Sequence, residues 1–105
     1  MLQSSTNYCL VIESVIIMSK ILQDVNLGAN LQYLRKRSGL TQKDVCIQLE
    51  IMGRPMIQSN YAQIESGTRN LFVSDLILLK RIFRADYAEF FNGLEPIPKL
   101  TDHIE

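Results

Sequence analysis

Thr41–Gly67, TQKDVCIQLEIMGRPMIQSNYAQIESG, is the stretch whose reading decides the fold. Two patterns of helical period lie either side of Gly53-Arg54-Pro55. No regular helix runs through that tripeptide, because proline lacks an amide proton and its ring clashes with the preceding turn. In the first pattern Val45, Cys46 and Leu49 form one apolar stripe. Thr41 stands where an N-cap belongs, its hydroxyl placed to accept from the amide of Asp44. Asp44 in turn puts a negative charge in the first turn, where the helix dipole favours it. Ile51 to Ile57 is then the connection. A second helix is expected from about Gln58 to Glu65, stopped by Ser66-Gly67.

A helical wheel sorts that second helix. With Tyr61 at the origin, Ile64 falls about 60° to one side and Glu65 about 40° to the other. Tyr61 and Ile64 are therefore the anchors. Ser59, Asn60 and Gln63 are presented outward, and Gln58 sits at the N-terminal tip. Amide side chains in such positions suit base reading, since Gln or Asn can pair bidentately with adenine; an ordinary solvated face would carry the same residues. Glu65 is the odd one. It leans inward, where an unpaired carboxylate is costly to bury. It needs a cation, and the helix before this pair offers Arg35.

Upstream, Leu27, Leu31 and Leu34 recur at i, i+4 and i+7 beside Arg35, Lys36 and Arg37, and Ser38-Gly39 closes the helix. Downstream, Asn70 to Ser74 leads into a fourth helix. Ser74 and Asp75 are its candidate caps, Leu76, Leu79 and Phe83 its inward face, and Ile77, Leu78 and Ile82 widen that face. A fifth helix is expected from Asp86, with Tyr87, Phe90, Phe91 and Leu94 at helical spacing and Gly93 near its end. Pro96 and Pro98 then forbid a regular helix, so Lys99–Glu105 is a loose tail. At the other end, Tyr8–Met18 (YCLVIESVIIM) is apolar and rich in β-branched residues. Its eleven residues are too few to span a bilayer, and no basic residue precedes them as in a signal peptide. Two readings stand: a strand or arm packed on the domain or on a partner subunit, or sequence outside the natively translated protein, which would then start at Met18. The expected organisation is an arm over 1–23, an all-α domain over 24–95 and a tail over 96–105.

The totals agree with one small domain. The chain has 105 residues, 47% of them hydrophobic, which is too apolar for a disordered chain. Two cysteines, Cys9 and Cys46, are too few for a disulfide framework, and a cytoplasmic protein is expected. The net charge of zero conceals an uneven distribution. Between Leu31 and Arg84, nine basic residues face four acidic ones, a local +5; the flanks carry two against seven, a local −5. A phosphate backbone responds to the local charge. His103, the one histidine, lies in the tail beyond the two prolines. No phosphate-cradling glycine loop, metal-ligand cluster or nucleophile elbow appears, so a binding protein is expected, not an enzyme, with no metal, cofactor or small-molecule site and no membrane association.

LGANLQYLRKRSGLTQKDVCIQL, followed after the connection by IQSNYAQIESGTRNLFVSDLILLKRIF, resembles the phage-repressor helix-turn-helix family of the Cro/repressor or Xre type. The marks are Arg35 in the first helix, Gly39-Leu40-Thr41-Gln42 entering the second, and Ile64-Glu65-x-Gly67-x-Arg69 closing the third. The resemblance spans roughly Leu27 to Leu94, about two-thirds of the chain. The resemblance implies a five-helix lambda-repressor-like domain. It implies a sequence-specific, repressor-like regulator bound as a homodimer to a palindromic operator in double-stranded DNA. By position it implies that Gln42, with Lys43 beside it, meets a phosphate and braces the reading helix. Gln58, Ser59, Asn60 and Gln63 would read bases. Ser66, Thr68, Arg69 and Asn70 would approach the next phosphates. It also implies an Arg35–Glu65 ion pair, in agreement with the wheel. Two departures stand out. The connection is roughly five residues longer than the family's tight turn, and Ile57 replaces the usual Ser or Thr N-cap. Gln58 or Ser59 is then expected to cap instead, or the helix to begin a residue or two later. Phe90, Phe91 and Leu94, or the Tyr8–Met18 arm, are candidate dimer surfaces, with simple core packing the other reading of the aromatics. The alternative function is an antitoxin-like or scaffold module that keeps the fold and binds protein.

Overall fold

The computed structural model describes residues 21–99. The apolar run Tyr8–Met18, Cys9 and His103 lie outside the described residues. Five helices follow in order: α1 Gly28–Arg37, α2 Gln42–Ile51, α3 Gln58–Ser66, α4 Val73–Phe83 and α5 Tyr87–Phe90. There is no strand among the described residues, and no described helix is long and apolar enough to cross a membrane.

The helix ends follow from local chemistry. Thr41 caps α2 as its sequence predicts: the Asp44 amide donates to Thr41 Oγ1 at 3.0 Å, and the Thr41 amide donates to Asp44 Oδ2 at 2.9 Å. That reciprocal pair satisfies two otherwise orphaned donors and holds the Asp44 carboxyl below its ordinary range. At its other end α2 runs through Ile51 and stops on Gly53, whose φ of +91° is the left-handed conformation that lacks a Cβ clash only in glycine. The amides of Gly53 and Arg54 then donate back to Glu50 O and Leu49 O, at 3.0 and 2.9 Å. Pro55 makes the stop final. The Gly-Arg-Pro tripeptide is thus a complete helix terminator, and the connection is Met52–Ile57.

The core is built from the stripes expected of each helix. Leu31 and Leu34 of α1, Val45 and Leu49 of α2, Tyr61 and Ile64 of α3, and Leu79 and Phe83 of α4 are buried together with Leu27, Ala85 and Phe90. Cys46 is half-buried against them as a free thiol. Helix α1 packs on α3 and α5, while α2 packs on α3 and α4, so α3 is held between the two preceding helices.

Three expectations are corrected. Neither Ser74 nor Asp75 caps α4: Phe72 occupies the N-cap position without a side-chain bond, and Asp75 lies in the first turn, buried, with its carboxylate turned to Arg54. A guanidinium is a stronger partner than a backbone amide, and it takes the carboxylate. Helix α5 is a single turn, not a helix reaching Gly93. Only Phe90 of its aromatics is buried, with Tyr87 and Phe91 exposed, so the chain has no second apolar turn to pay for a longer helix. Neither Gln58 nor Ser59 caps α3, and the helix does not start late. It begins at Gln58 with Ile57 at the N-cap and no side-chain cap at all.

Candidate nucleic-acid interface

Helix α3 is anchored from behind by a buried ion pair. Arg35 Nε donates to Glu65 Oε2 at 2.7 Å and Arg35 Nη2 to Glu65 Oε1 at 3.0 Å, a bidentate fork. The Glu65 side chain is 3% exposed and that of Arg35 9%. Gln42 Nε2 adds a third donor to Glu65 Oε1 at 3.1 Å, and Arg35 Nη1 donates to Leu40 O at 3.0 Å. Burial works against the Glu65 charge, but the Arg35 guanidinium, with Gln42, outweighs it and keeps the carboxyl below its ordinary range. The Glu65 carboxylate in turn raises the Arg35 pKa. The Tyr61 hydroxyl is buried next to this cluster without a hydrogen-bond partner among the described residues, and its pKa is driven up by burial first and then by Glu65. One cluster therefore ties the start of α2, the end of α1 and the end of α3 together.

The junction of α1 and α3 is close. A Cβ added at Gly28 would overlap the carbonyl oxygen of Glu65, and one added at Gly67 would overlap the Asn26 side chain. Asn26 Oδ1 also accepts from the Gly28 amide at 2.7 Å, so its side chain stands in for a cap at the start of α1. Gly67, at φ +86°, ends α3, and the Thr68 amide donates to Gln63 O at 2.9 Å. Nothing in the sequence marks Asn26 out; two glycines thirty-nine positions apart become meaningful only once the helices cross.

With its back fixed, α3 presents Gln58, Ser59, Gln63 and Ser66 as exposed residues, as the wheel predicts for Ser59 and Gln63. Asn60 is half-buried and lines a cleft beside the helix. Gln63 is not a free amide: its Oε1 accepts from Arg69 Nε at 2.9 Å. Ser66 Oγ and Thr68 Oγ1 both lie on Gln63 O, at 3.1 and 3.3 Å, which ties the turn after α3 to the helix itself. Lys43 is exposed in the first turn of α2, and Arg69 and Asn70 are exposed after α3. Gln42 touches Glu65, the bracing half of its expected role.

The sequence does not announce the second ion pair. Arg54 Nε donates to Asp75 Oδ1 at 2.6 Å, with Asp75 buried at 4% side-chain exposure and Arg54 at 42%. The Arg54 guanidinium also lies 5.9 Å from the Phe72 ring centroid. The connection is therefore fastened to the start of α4. The available signal was Asp75 itself, the one acid of α4, at the head of a run of four apolar residues. Around Arg54 and Asp75 a cleft of about 490 Å³ opens between the connection, α3 and Asn70–Phe72.

Compared with known proteins, the chain matches no family model, no curated protein and no solved structure.

Proposed function

We propose that this chain is a sequence-specific DNA-binding transcriptional regulator of the lambda-repressor-like type, repressor-like and homodimeric, that lays α3 in the major groove. One observation carries the reading: α3 is locked from behind by a buried bidentate ion pair while Gln58, Ser59 and Gln63 face solvent. A rigidly held helix with an outward row of amides and a hydroxyl is what base discrimination needs, each good bidentate pair being worth roughly 1–3 kcal/mol. Lys43, Ser66, Thr68, Arg69 and Asn70 flank that row and supply the phosphate contacts, which position the helix and carry no sequence information. Titration with mixed genomic DNA at two salt concentrations tests the reading. Binding that weakens steeply with salt is the expected result, and no binding at low salt would overturn it.

A second reading rests on a different observation. Ile47 and Ile51, one turn apart on α2, are 45% and 72% exposed, and Met52 and Ile57 in the connection are exposed as well. An antitoxin-like or scaffold module would bury that surface against a protein. Such a module would leave duplex DNA unbound at low salt, so the same titration separates the two.

A further inference from the structure

The lengthened connection brings a second guanidinium to the edge of α3. Arg54 is fixed through its backbone, its amide donating to Leu49 O at 2.9 Å with Pro55 following. Its side chain is fixed through Nε, which Asp75 holds at 2.6 Å, and through the Phe72 ring. Arg69 is held in the same fashion, Nε on Gln63 Oε1 at 2.9 Å. Both arginines border one cleft, with Asn60 and Asn70 also on its wall. Neither uses an Nη group on a described residue. A guanidinium engaged only at Nε keeps its planar fork of Nη donors for a pair of ligand oxygens, and the two non-bridging oxygens of a phosphodiester fit it. Asp75 is buried while Arg54 is two-fifths exposed, so the carboxylate orients the guanidinium from the protein side and leaves the Nη edge to solvent.

We propose that Arg54 and Arg69 together seat one backbone phosphate of duplex DNA, with the Arg54 half supplied by the residues that lengthen the connection. The inference rests on the DNA-binding reading above. The location favours a DNA phosphodiester over a small free anion: the cleft runs along the Asn60–Ile64 side of α3 and meets the outer face at Gln63 through Arg69. A strand flanking the groove that receives α3 passes there.

The test is a salt series of binding titrations on a labelled mixed-sequence duplex. The wild type is compared with a double variant, Arg54→Ala with Asp75→Asn, which removes the guanidinium without stranding a buried carboxylate. The folded double variant is expected to bind all duplexes more weakly by a common factor. Its slope of log affinity against log salt should be shallower by about 1 per subunit. Should that variant melt below the assay temperature, Arg54→Gln, which keeps a hydrogen-bond donor for Asp75 without the charge, takes its place with the same expected slope. A wild-type slope in a folded variant would overturn the phosphate seat and leave the DNA reading standing. Failure of the wild type to bind any duplex would instead remove the reading on which the seat rests. Inorganic phosphate at constant ionic strength should displace the duplex no better than chloride; selective displacement would mark a free-anion pocket and overturn the assignment to the DNA backbone.

Discussion

At the scale of single residues, Arg35 and Glu65 decide whether α3 is held. Arg35→Ala leaves a buried carboxylate without its partner and is expected to destabilise the fold by about 3–5 kcal/mol, read from the midpoint of urea unfolding. An unchanged midpoint would mean that the pair contributes nothing. The pH dependence follows in sign from the lowered Glu65 pKa. Its stabilisation is fully present above the unfolded-state value near 4.5 and is lost as pH falls through the lower folded-state value. Melting temperatures of Glu65→Gln should therefore fall less steeply in acid than those of the wild type. Comparing the two cancels Asp44 and Glu89, whose pKa values are also lowered and act in the same window. Gln63→Ala and Asn60→Ala should leave the fold intact and reduce affinity for preferred DNA more than for random DNA; equal losses would assign the residue to backbone positioning. The Arg35–Glu65 pair was legible in the sequence because an inward carboxylate demands a counter-charge. The Arg69–Gln63 bond was not, since both residues are exposed and polar and would be equally at ease in water.

At the scale of elements, terminators were easier to read than starts. Gly39, Gly53 and Gly67 all end helices at positive φ, and each follows a run of helical period in the sequence. Starts were harder, because a carboxylate or hydroxyl near a helix head can be claimed from elsewhere in the fold. Thr41 keeps its cap and Asp75 loses its own to Arg54, which no local pattern distinguishes. The short α5 has the same origin: Phe90 finds a buried site, whereas Phe91 at equal hydrophobicity does not. Two substitutions probe the elements. Thr41→Ala removes the α2 cap and should cost about 1 kcal/mol in chemical unfolding. Gly28→Ala drives a Cβ into the Glu65 carbonyl and should lower stability and DNA affinity together. Unaltered melting and binding in Gly28→Ala would show that α1 and α3 are not in close approach.

For the whole molecule, net neutrality is the product of two opposed regions, and the structure shows how the basic one is spent. Arg35, Arg37 and Arg54 are in ion pairs with Glu65, Glu89 and Asp75. Of the cations proposed to meet phosphate, Lys43 and Arg69 are exposed and Arg54 keeps its Nη edge free. Two subunits would then place about six cations against phosphates and give a salt slope near −5. The all-helical class and the order of helices were legible from periodicity alone. The aim of α3 was not, because it depends on a connection whose fastening to α4 lies twenty-one residues away in sequence. Base reading by α3 is tested most directly by selection of bound sites from a random pool of duplex DNA. Enrichment of a two-fold symmetric motif with half-site centres about 10 base pairs apart is the expected result. A pool that stays unenriched through successive rounds would contradict base reading by α3.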